Sequence, residues 1–365
     1  MLRFITPSTR TRRTPFSQWV EQAGVKAYSV YNHMLLPTMF DSLEEDCAHL
    51  KRAVQVWDVS AERQVELKGP HAERLLQMAT PRDLARMQDD QCYYVPLVGP
   101  DGYMLNDPVA IRLAPDRFWV SLADSDALFY FKGLVAGFGL DVDVFEPDVS
   151  PLAIQGPLAN DLAAAAWGDD VRKLRFFRHM KVEVGGKEML LARSGWSKQG
   201  GFELYLDGSE HGQEIWERLF ELGADMDVRA GCPNGIERIE SGLLSFGNDV
   251  LLSDTPLHAG LGSYVHDVPG CLANDALKAM GEPDRMIRAV EISGDGVPGC
   301  VAPWPLWLHG ERVGEIRSAA YSPEFETGVG IAMISDPAWS PGTVLQVEAP
   351  DGEWLEATVH PGFWR

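Results

Sequence analysis

The chain has no long apolar segment. No stretch of about 18 consecutive apolar residues occurs, which is the length that a membrane-spanning helix needs. The first five residues, MLRFI, do not begin the apolar core of a secretory signal. Hydrophobic residues make up 45% of the chain and charged residues 23%, as in ordinary water-soluble domains. We therefore predict no membrane association.

Basic residues are also scarce. The chain has 32 Lys and Arg against 53 Asp and Glu, which gives a formal net charge of −21. Nucleic acids and anionic membranes bind to basic faces, so the charge predicts neither as a partner. An anionic ligand would need a local cluster of Arg or Lys.

Cysteine pairs and metal-binding spacings are absent from the sequence. The nine histidines show neither H-x-x-x-H nor H-E-x-x-H, so we predict no metal. The cysteines contain no C-x-x-C pair and their number is odd, which is typical of free thiols in a reducing compartment such as the cytoplasm. The five cysteines are Cys47, Cys92, Cys232, Cys271 and Cys300.

What is present indicates more than one domain. A chain of 365 residues exceeds a single average core, so two or three domains are expected. Residues 51–140 combine helical and strand patterns and predict a small α+β domain. Residues 275–365 predict a β-barrel-like domain, because short strands alternate there with Gly and Pro turns. Five such strands are expected, at residues 287–291, 306–309, 314–317, 328–333 and 344–347.

Local patterns predict the ends of some elements. Asp41 and Glu44 resemble a capping box at the start of a helix whose apolar positions continue to Val54. Ser209 is expected to cap a helix that buries Trp216 and Leu219. Residues 92–113 are expected to form a hairpin around the GPDG turn at 99–102.

Residues 193–205, RSGWSKQGGFELY, have the composition of a binding site. Glycines let the backbone approach a bound molecule closely. Trp196 and Tyr205 offer flat faces to a ring or a cation. Glu203 offers two acceptor oxygens to a planar donor edge, such as that of a pterin. The local composition is equally typical of a hairpin with a glycine turn and two core aromatic residues.

An ordered set of motifs resembles a known family. The set is Tyr94, DGYMLND at 101–107, IQGP at 154–157, GFE at 201–203 and ERIESG at 237–242. It resembles the folate-binding family of the glycine-cleavage T-protein, an aminomethyltransferase, and covers nearly the whole chain. A second set is YNHMLLP at 31–37, DQCYY at 90–94, MLNDP at 104–108, SGWSKQGG at 194–201 and GFWR at 362–365. This second set is similar to the tetrahydrofolate-dependent dimethylsulfoniopropionate demethylases within that family.

The resemblance implies a fold and a reaction. The fold would be a three-domain ring around a central folate cavity, with a β-rich third domain and a discontinuous folate-binding domain at residues 1–50 plus 141–255. The reaction would be an in-line transfer of a methyl group from dimethylsulfoniopropionate to tetrahydrofolate, giving methylmercaptopropionate and 5-methyltetrahydrofolate. The protein would be a monomer or a homodimer.

The resemblance also assigns roles to residues. Glu203 matches the pterin-binding carboxylate of the family, and Asp107 matches its central catalytic aspartate. The remaining candidates are Tyr94, Trp196, Tyr205 and Arg238 for folate, and Tyr31, Phe177 and Trp196 for the methyl donor. Structural alternatives stay open for several of them: a solvated strand-edge acid for Glu203, a turn acid for Asp107, core positions for the aromatic residues, and for Arg238 an ion pair with Asp249 or Glu240.

Two departures from the family pattern bear on function. The T-protein has a second acid where this chain has Asn106, which argues against aminomethyl transfer. The family often has a Gly-Lys pair entering the third domain, where this chain has CLAN at 271–274, so a cation for the folate tail is missing. Two other functions stay open: methyl or aminomethyl transfer from a betaine-like amine, and folate binding without catalysis.

Overall fold

The computed structural model describes residues 8–294, 297–350 and 352–365. Its strands form a six-stranded sheet, a five-stranded sheet, a closed six-stranded barrel and two short two-stranded sheets. Helices and strands are mixed along the chain, which confirms the predicted α+β class. Among the described residues, no helix combines the length and the apolar character that crossing a membrane would need.

The helices and strands have the following bounds. The helices are α1 (Ser17–Gln22), α2 (Leu43–Leu50), α3 (Ala72–Ala79), α4 (Ala127–Phe138), α5 (Ala159–Trp167), α6 (Gly212–Leu222), α7 (Gly235–Ser241) and α8 (Asn274–Met280). The strands up to residue 155 are β1 (Ala27–Tyr31), β2 (Met34–Met39), β3 (Val54–Asp58), β4 (Gln64–Lys68), β5 (Cys92–Tyr94), β6 (Leu97–Val98), β7 (Met104–Asn106), β8 (Val109–Ala114), β9 (Arg117–Ser121), β10 (Asp143–Phe145) and β11 (Val149–Gln155). The later strands are β12 (His179–Val184), β13 (Lys187–Ala192), β14 (Gly201–Asp207), β15 (Val228–Gly231), β16 (Arg285–Ile292), β17 (Trp304–Leu308), β18 (Glu311–Ser322), β19 (Thr327–Ser335), β20 (Val344–Glu348) and β21 (Trp354–Val359).

The six-stranded sheet has the order β12-β13-β14-β11-β3-β15. All neighbours are antiparallel except β3 and β15. Helices α1, α5 and α6 bury their apolar residues against one face, together with Phe202, Leu204 and Leu206 of β14. Because side chains alternate along a strand, Glu203 and Tyr205 face the opposite side of the sheet.

The five-stranded sheet has the order β10-β4-β9-β8-β5 and is antiparallel throughout. Helices α3 and α4 pack on one face. Its other face contributes Cys92, Ile111 and Trp119 to a cluster that also contains Tyr205 of β14. The two sheets therefore meet on the side of β14 from which Glu203 projects.

The C-terminal strands close into a barrel in the order β16-β19-β18-β17-β20-β21. This confirms the predicted β-barrel-like domain. The five strands expected from the sequence do not include the sixth, β21, although its residues 355–359 alternate between apolar and polar. Closure depends on β21, which pairs with both β16 and β20.

Three predicted element ends are wrong. The N-cap of α2 is Ser42, whose Oγ accepts from the Glu45 amide at 3.1 Å, while the Asp41 carboxylate pairs with Lys26 at 2.8 Å. Helix α2 ends at Leu50, and Val54 begins β3. Ser209 does not cap α6, since its hydroxyl donates to Asp148 at 2.5 Å.

The predicted single hairpin at residues 92–113 is two short ladders. Strand β5 pairs with β8, and β6 pairs with β7. Pro96 and Pro108 lie between the paired segments, and proline has no amide hydrogen to give to a ladder. The break after β7 places Asp107 outside regular pairing, directly before Pro108.

The predicted domain division stays a prediction. One relevant observation is that β3 belongs to the six-stranded sheet formed by residues 149–231, although it lies within the range 51–140. The five-stranded sheet begins after it, with β4.

Candidate active site

Glycines shape the segment before β14. Gly195 has φ +142°, and a Cβ there would lie 2.0 Å from Nε2 of Gln155. A Cβ on Gly201 would lie 2.2 Å from the carbonyl oxygen of Ile154. Gln155 is fully buried, donates to the Ser194 carbonyl at 3.2 Å and accepts from the Ser197 hydroxyl at 2.8 Å. Only residues without a Cβ fit this packing, which holds the segment against β11.

Glu203 lies in the middle of this arrangement. Strand β14 is central in its sheet and Glu203 is only 6% exposed, so it is not a solvated strand-edge acid. The Ser194 hydroxyl donates to Oε2. Burial raises the pKa of Glu203, and hydrogen bonds with Ser194 and Tyr205 oppose the rise. Among the described residues, no Lys, Arg or His forms an ion pair with this carboxyl group.

Asp107 and Tyr94 form a hydrogen-bonded pair. The Tyr94 hydroxyl donates to Oδ2 of Asp107 at 2.9 Å. Burial raises the pKa of Asp107 to about 7, although the bond from Tyr94 lowers it in part. The Tyr94 ring packs edge-on against Tyr264, with 5.4 Å between centroids, and Arg82 donates to the Tyr94 carbonyl. The result is a partly buried acid that titrates near neutrality, the range that a proton-accepting residue requires.

Asn106 has a structural role. It is completely buried, and its amide nitrogen donates to the Ala123 carbonyl at 3.0 Å and to the Ser125 hydroxyl at 2.7 Å. Its amide oxygen accepts from the Ala123 backbone at 3.0 Å. A carboxylate could not donate the first two bonds. This position therefore fixes the end of β7, and with it Asp107, instead of supplying a second acid.

The β1–β2 hairpin carries Tyr31 to the same place. Its turn residues Asn32 and His33 have φ of 49° and 65°. The Asn32 amide donates to the carbonyls of Ala61 at 3.0 Å and Ala123 at 3.1 Å. Burial, followed by the nearby Glu62 and Asp107 carboxylates, raises the pKa of Tyr31 well above its usual range. The side chains of Asn32 and Asn106 therefore both bind the backbone of Ala123. Asn32 follows Tyr31 in the chain and Asn106 precedes Asp107, so both candidates are attached to the same segment.

Glu62 was missed at the sequence level. It lies in the loop between β3 and β4, and its carboxylate contributes to the raised pKa values of Tyr31 and Tyr205. Burial, then the carboxylates of Glu203 and Asp107, raise the pKa of Glu62 well above its usual range. Nothing in the local pattern marks it, because it only precedes a buried strand.

Arg238 lies between α7 and the barrel. Its guanidinium donates to Asp249 at 2.7 Å and to the Ser318 hydroxyl at 2.6 Å. It also lies 5.7 Å from the centroid of the Trp196 ring, within cation–π range. Of the two ion pairs considered as alternatives for Arg238, the structure contains the one with Asp249. Glu240 instead binds Lys51 and Arg365. Trp196 is partly exposed beside this guanidinium.

Two aromatic candidates have other surroundings than expected. Tyr205 is 1% exposed and its ring packs on Trp119, with 6.1 Å between centroids, so it offers no free face for stacking on folate. Its hydroxyl group partly offsets the rise in the pKa of Glu203, and its assignment to the folate site stays a prediction. Phe177 has φ 56°, stacks on Phe176 at 4.4 Å and packs against the apolar cluster around Tyr205.

No cluster in the described part of the chain has the three or more His, Cys, Asp or Glu side chains that a metal site would need. Apart from the Arg238 guanidinium, the candidate residues present carboxyl groups and aromatic rings. Such groups accept hydrogen bonds from an N–H edge and attract cations.

The chain belongs to the glycine cleavage T-protein family. The GCVT N-terminal domain matches residues 16–267, and the glycine cleavage T-protein C-terminal barrel domain matches residues 285–363. Among its relatives, the chain is 55% identical over 363 residues to the dimethylsulfoniopropionate demethylase DmdA of Ruegeria pomeroyi, with 99% of each chain covered. It is 28% identical to an aminomethyltransferase of Desulfitobacterium hafniense, with 98% of each covered.

A solved structure has the same fold. The glycine cleavage system aminomethyltransferase T from Bartonella henselae superposes with a TM-score of 0.87 at 22% identity, covering 97% of this chain and 98% of the other. The three-dimensional match extends over both sheets and the barrel.

Proposed function

We propose that this protein is a methyltransferase that moves a methyl group from dimethylsulfoniopropionate to tetrahydrofolate, giving methylmercaptopropionate and 5-methyltetrahydrofolate. The observation that carries the proposal is the end-to-end 55% identity to a dimethylsulfoniopropionate demethylase, against 28% to an aminomethyltransferase. The site supports it, because its acids and phenols suit a cationic donor. We further propose a cytoplasmic location and a monomer or homodimer.

The residues present fit a folate. Glu203 is a buried acceptor without an ion-pair partner in the described part of the chain, so an N–H edge such as that of a pterin would satisfy it. Trp196 and Tyr94 would border the ring system, and Arg238 would lie beside it. When bound, tetrahydrofolate supplies the N5 nitrogen, to which the methyl carbon bonds while the sulfur–carbon bond breaks and its electron pair stays on sulfur.

Asp107 then has a defined task in the proposal. The N5 amine must lose its proton when it gains a methyl group, and Asp107 accepts this proton. A pKa of about 7 suits an acceptor at neutral pH. The sulfonium already has a neutral thioether as its leaving group, so the protein mainly aligns the two partners. Alignment contributes roughly 7–11 kcal/mol in favourable cases.

The proposal is tested with purified protein, tetrahydrofolate and dimethylsulfoniopropionate without oxygen, by measuring methylmercaptopropionate and 5-methyltetrahydrofolate together. Equal amounts of both products are expected. Glycine betaine and dimethylglycine in place of the sulfonium test the amine alternative. Folate binding without either product would refute methyl transfer and leave a folate-binding protein.

Replacement of the acid gives a sharper test. Asp107→Asn is expected to lower kcat by about 10²- to 10⁴-fold, with a much smaller change in folate affinity. Wild-type kcat is expected to rise with pH through about 7 as Asp107 loses its proton, and the variant is expected to lose this rise. Asp101→Asn, at an exposed turn before β7, is the matched control. Equal losses in kcat and folate affinity would make Asp107 a binding residue only.

A further inference from the structure

Glu62 is held in place by the backbone on both sides. Its amide donates to the Val59 carbonyl at 2.9 Å, and its carbonyl accepts from the Gln64 side chain at 2.8 Å. The preceding carbonyl, of Ala61, accepts from Asn32 at 3.0 Å. The loop is therefore attached both to the hairpin that carries Tyr31 and to the start of β4. A side chain on so well anchored a loop has a defined position.

The surroundings of Glu62 are the candidate active site. The Asn32 side chain joins the Ala61 carbonyl to the Ala123 carbonyl, which Asn106 also binds, so the Glu62 loop packs against the segments that carry Tyr31 and Asp107. The groups that interact electrostatically with Glu62 come from four parts of the fold: Tyr31 at the end of β1, Asp107 after β7, Ser121 at the end of β9, and Glu203 and Tyr205 on β14. Each of these except Ser121 was proposed for the site independently of Glu62. Glu62 therefore interacts electrostatically with four residues that were already candidates for the site.

No protein cation balances this carboxyl group. Among the described residues, no Lys, Arg or His lies within ion-pair distance of Glu62, and the adjacent Arg63 pairs with Glu146 at 2.7 Å. Arg238, the cation proposed for the folate site, binds Asp249. A partly buried carboxylate without a counter-ion is costly, which suggests that its partner arrives from outside.

We propose that Glu62 is the specificity-determining residue that recognises the cationic end of the methyl donor. This inference rests on the proposed function and names the group that selects a sulfonium over a neutral thioether or hydrocarbon. The reacting methyl group must lie near Asp107, and Glu62 is a neighbour of Asp107. A cation between them relieves the repulsion among the three carboxyl groups and is attracted by the phenol of Tyr31.

Donor binding should then release a proton. Burial and the neighbouring carboxylates raise the pKa of Glu62. A cation beside the group lowers the pKa again, because it stabilises the charged form. Because the Glu203 carboxylate raises the pKa of Glu62, the two acids titrate together, and the released proton is assigned to the pair and not to either acid alone. Protons should therefore pass to the buffer as the donor binds near neutral pH.

The test is calorimetric binding with 5-methyltetrahydrofolate present to fill the folate site without turnover. The ligands are dimethylsulfoniopropionate and 4-methylpentanoate, in which CH replaces the sulfonium sulfur. Glu62→Gln is expected to weaken sulfonium binding about tenfold or more with little change for 4-methylpentanoate. For wild type, the enthalpy of sulfonium binding should depend on the ionisation enthalpy of the buffer, because the released proton is taken up by the buffer. In Glu62→Gln this dependence should be lost. Glu62→Asp should keep part of the preference, and Glu44→Gln, exposed on α2, should behave as wild type.

The outcomes separate the two proposals. An unchanged preference for the sulfonium in Glu62→Gln would overturn the inference, and so would equal weakening of both ligands, which would mark Glu62 as structural. If Glu62→Gln does not fold, as judged by its melting temperature, a reduced preference in the folded Glu62→Asp supports the inference and a wild-type preference overturns it. Methyl transfer by the wild type is scored separately, so its absence refutes the proposed function whatever the variants do.

Discussion

At the scale of single residues, the hydrogen bond between Tyr94 and Asp107 controls the proposed chemistry. An acid with an ordinary pKa would be too weak a base to take a proton efficiently, and one raised much further would stay protonated at neutral pH. Burial raises the pKa of Asp107 and the Tyr94 hydroxyl limits the rise to about 7. The two opposing effects set the pH at which half of the molecules have an ionised Asp107.

Tyr94→Phe tests this balance. Without the bond of 2.9 Å, the charged form of Asp107 loses a donor, so its pKa should rise further. The midpoint of the kcat–pH profile should therefore move to higher pH, by about one unit. Tyr93→Phe is the matched control, since Tyr93 is adjacent and packs beneath Arg82 at 4.2 Å. A midpoint that stays in place or moves to lower pH would contradict the account.

Residue-level reasoning had clear limits in this site. Glu203, Asp107 and Tyr94 were identified by resemblance. The structure adds Glu62, which no motif contained and whose pKa is raised by Glu203 and Asp107. For Tyr205, the sequence predicted an aromatic face, yet the fold buries the ring on Trp119. Exposure depends on what the opposite sheet contributes, and a local pattern does not contain that information.

At the scale of elements, the segment between β13 and β14 positions Glu203 through tight packing on Gln155. Ser194, Gly195 and Gly201 all contact this one buried amide. The glycines first suggested close approach of the backbone to a ligand. In the structure they allow close approach to a side chain of the neighbouring strand, so their requirement is explained before any ligand is considered.

Gly195→Ala should disturb this element. The added Cβ meets Gln155 at 2.0 Å, and the backbone angle of +142° is unfavourable for alanine. We expect a loss of about 2–4 kcal/mol in the free energy of unfolding, together with weaker folate binding. Gly200→Ala, where nothing lies within 4 Å, should cost only about 1 kcal/mol of backbone strain. Urea denaturation measures both, and equal losses would show that packing on Gln155 is unimportant.

At the scale of the whole molecule, a buried network joins the N-terminal sheets to the barrel. Glu240 on α7 is fully buried and binds Lys51 at 2.6 Å and Arg365 at 3.3 Å. Its other oxygen accepts from Ser322, at the end of β18, at 2.7 Å. Lys198, three residues before β14, donates to the Arg365 carbonyl at 2.6 Å. The junction therefore reaches the segment that holds Glu203.

Glu240→Gln should weaken this junction. Removal of one charge leaves Lys51 partly buried beside a neutral group, for which we expect a loss of about 3–5 kcal/mol in the free energy of unfolding. Glu324→Gln is the control, because Glu324 contacts the same two cations but is 43% exposed. It should cost less than about 1 kcal/mol. Denaturant unfolding curves measure the free energy of unfolding of both variants. Comparable losses in the two would contradict the proposal that burial makes Glu240 the more important partner.

The sequence by itself determined the family, the α+β class, the β-rich C-terminal domain, and Asp107 and Tyr94 as separate candidates for the site. These follow from features that are local or that recur in a fixed order along the chain.

Only the tertiary structure decided which acids share a site. Glu62, Asp107 and Glu203 lie on three separate segments, far apart in sequence. The packing of the two sheets through Tyr205 and Trp119 brings Asp107 and Glu203 near enough to raise the pKa of Glu62. The same packing decided that Tyr205 is buried, that Asn106 is a structural amide and that β21 closes the barrel. The physical reason is that burial and the interaction between charges depend on distance in space, and distance in space is set by sheet packing and not by any local sequence pattern.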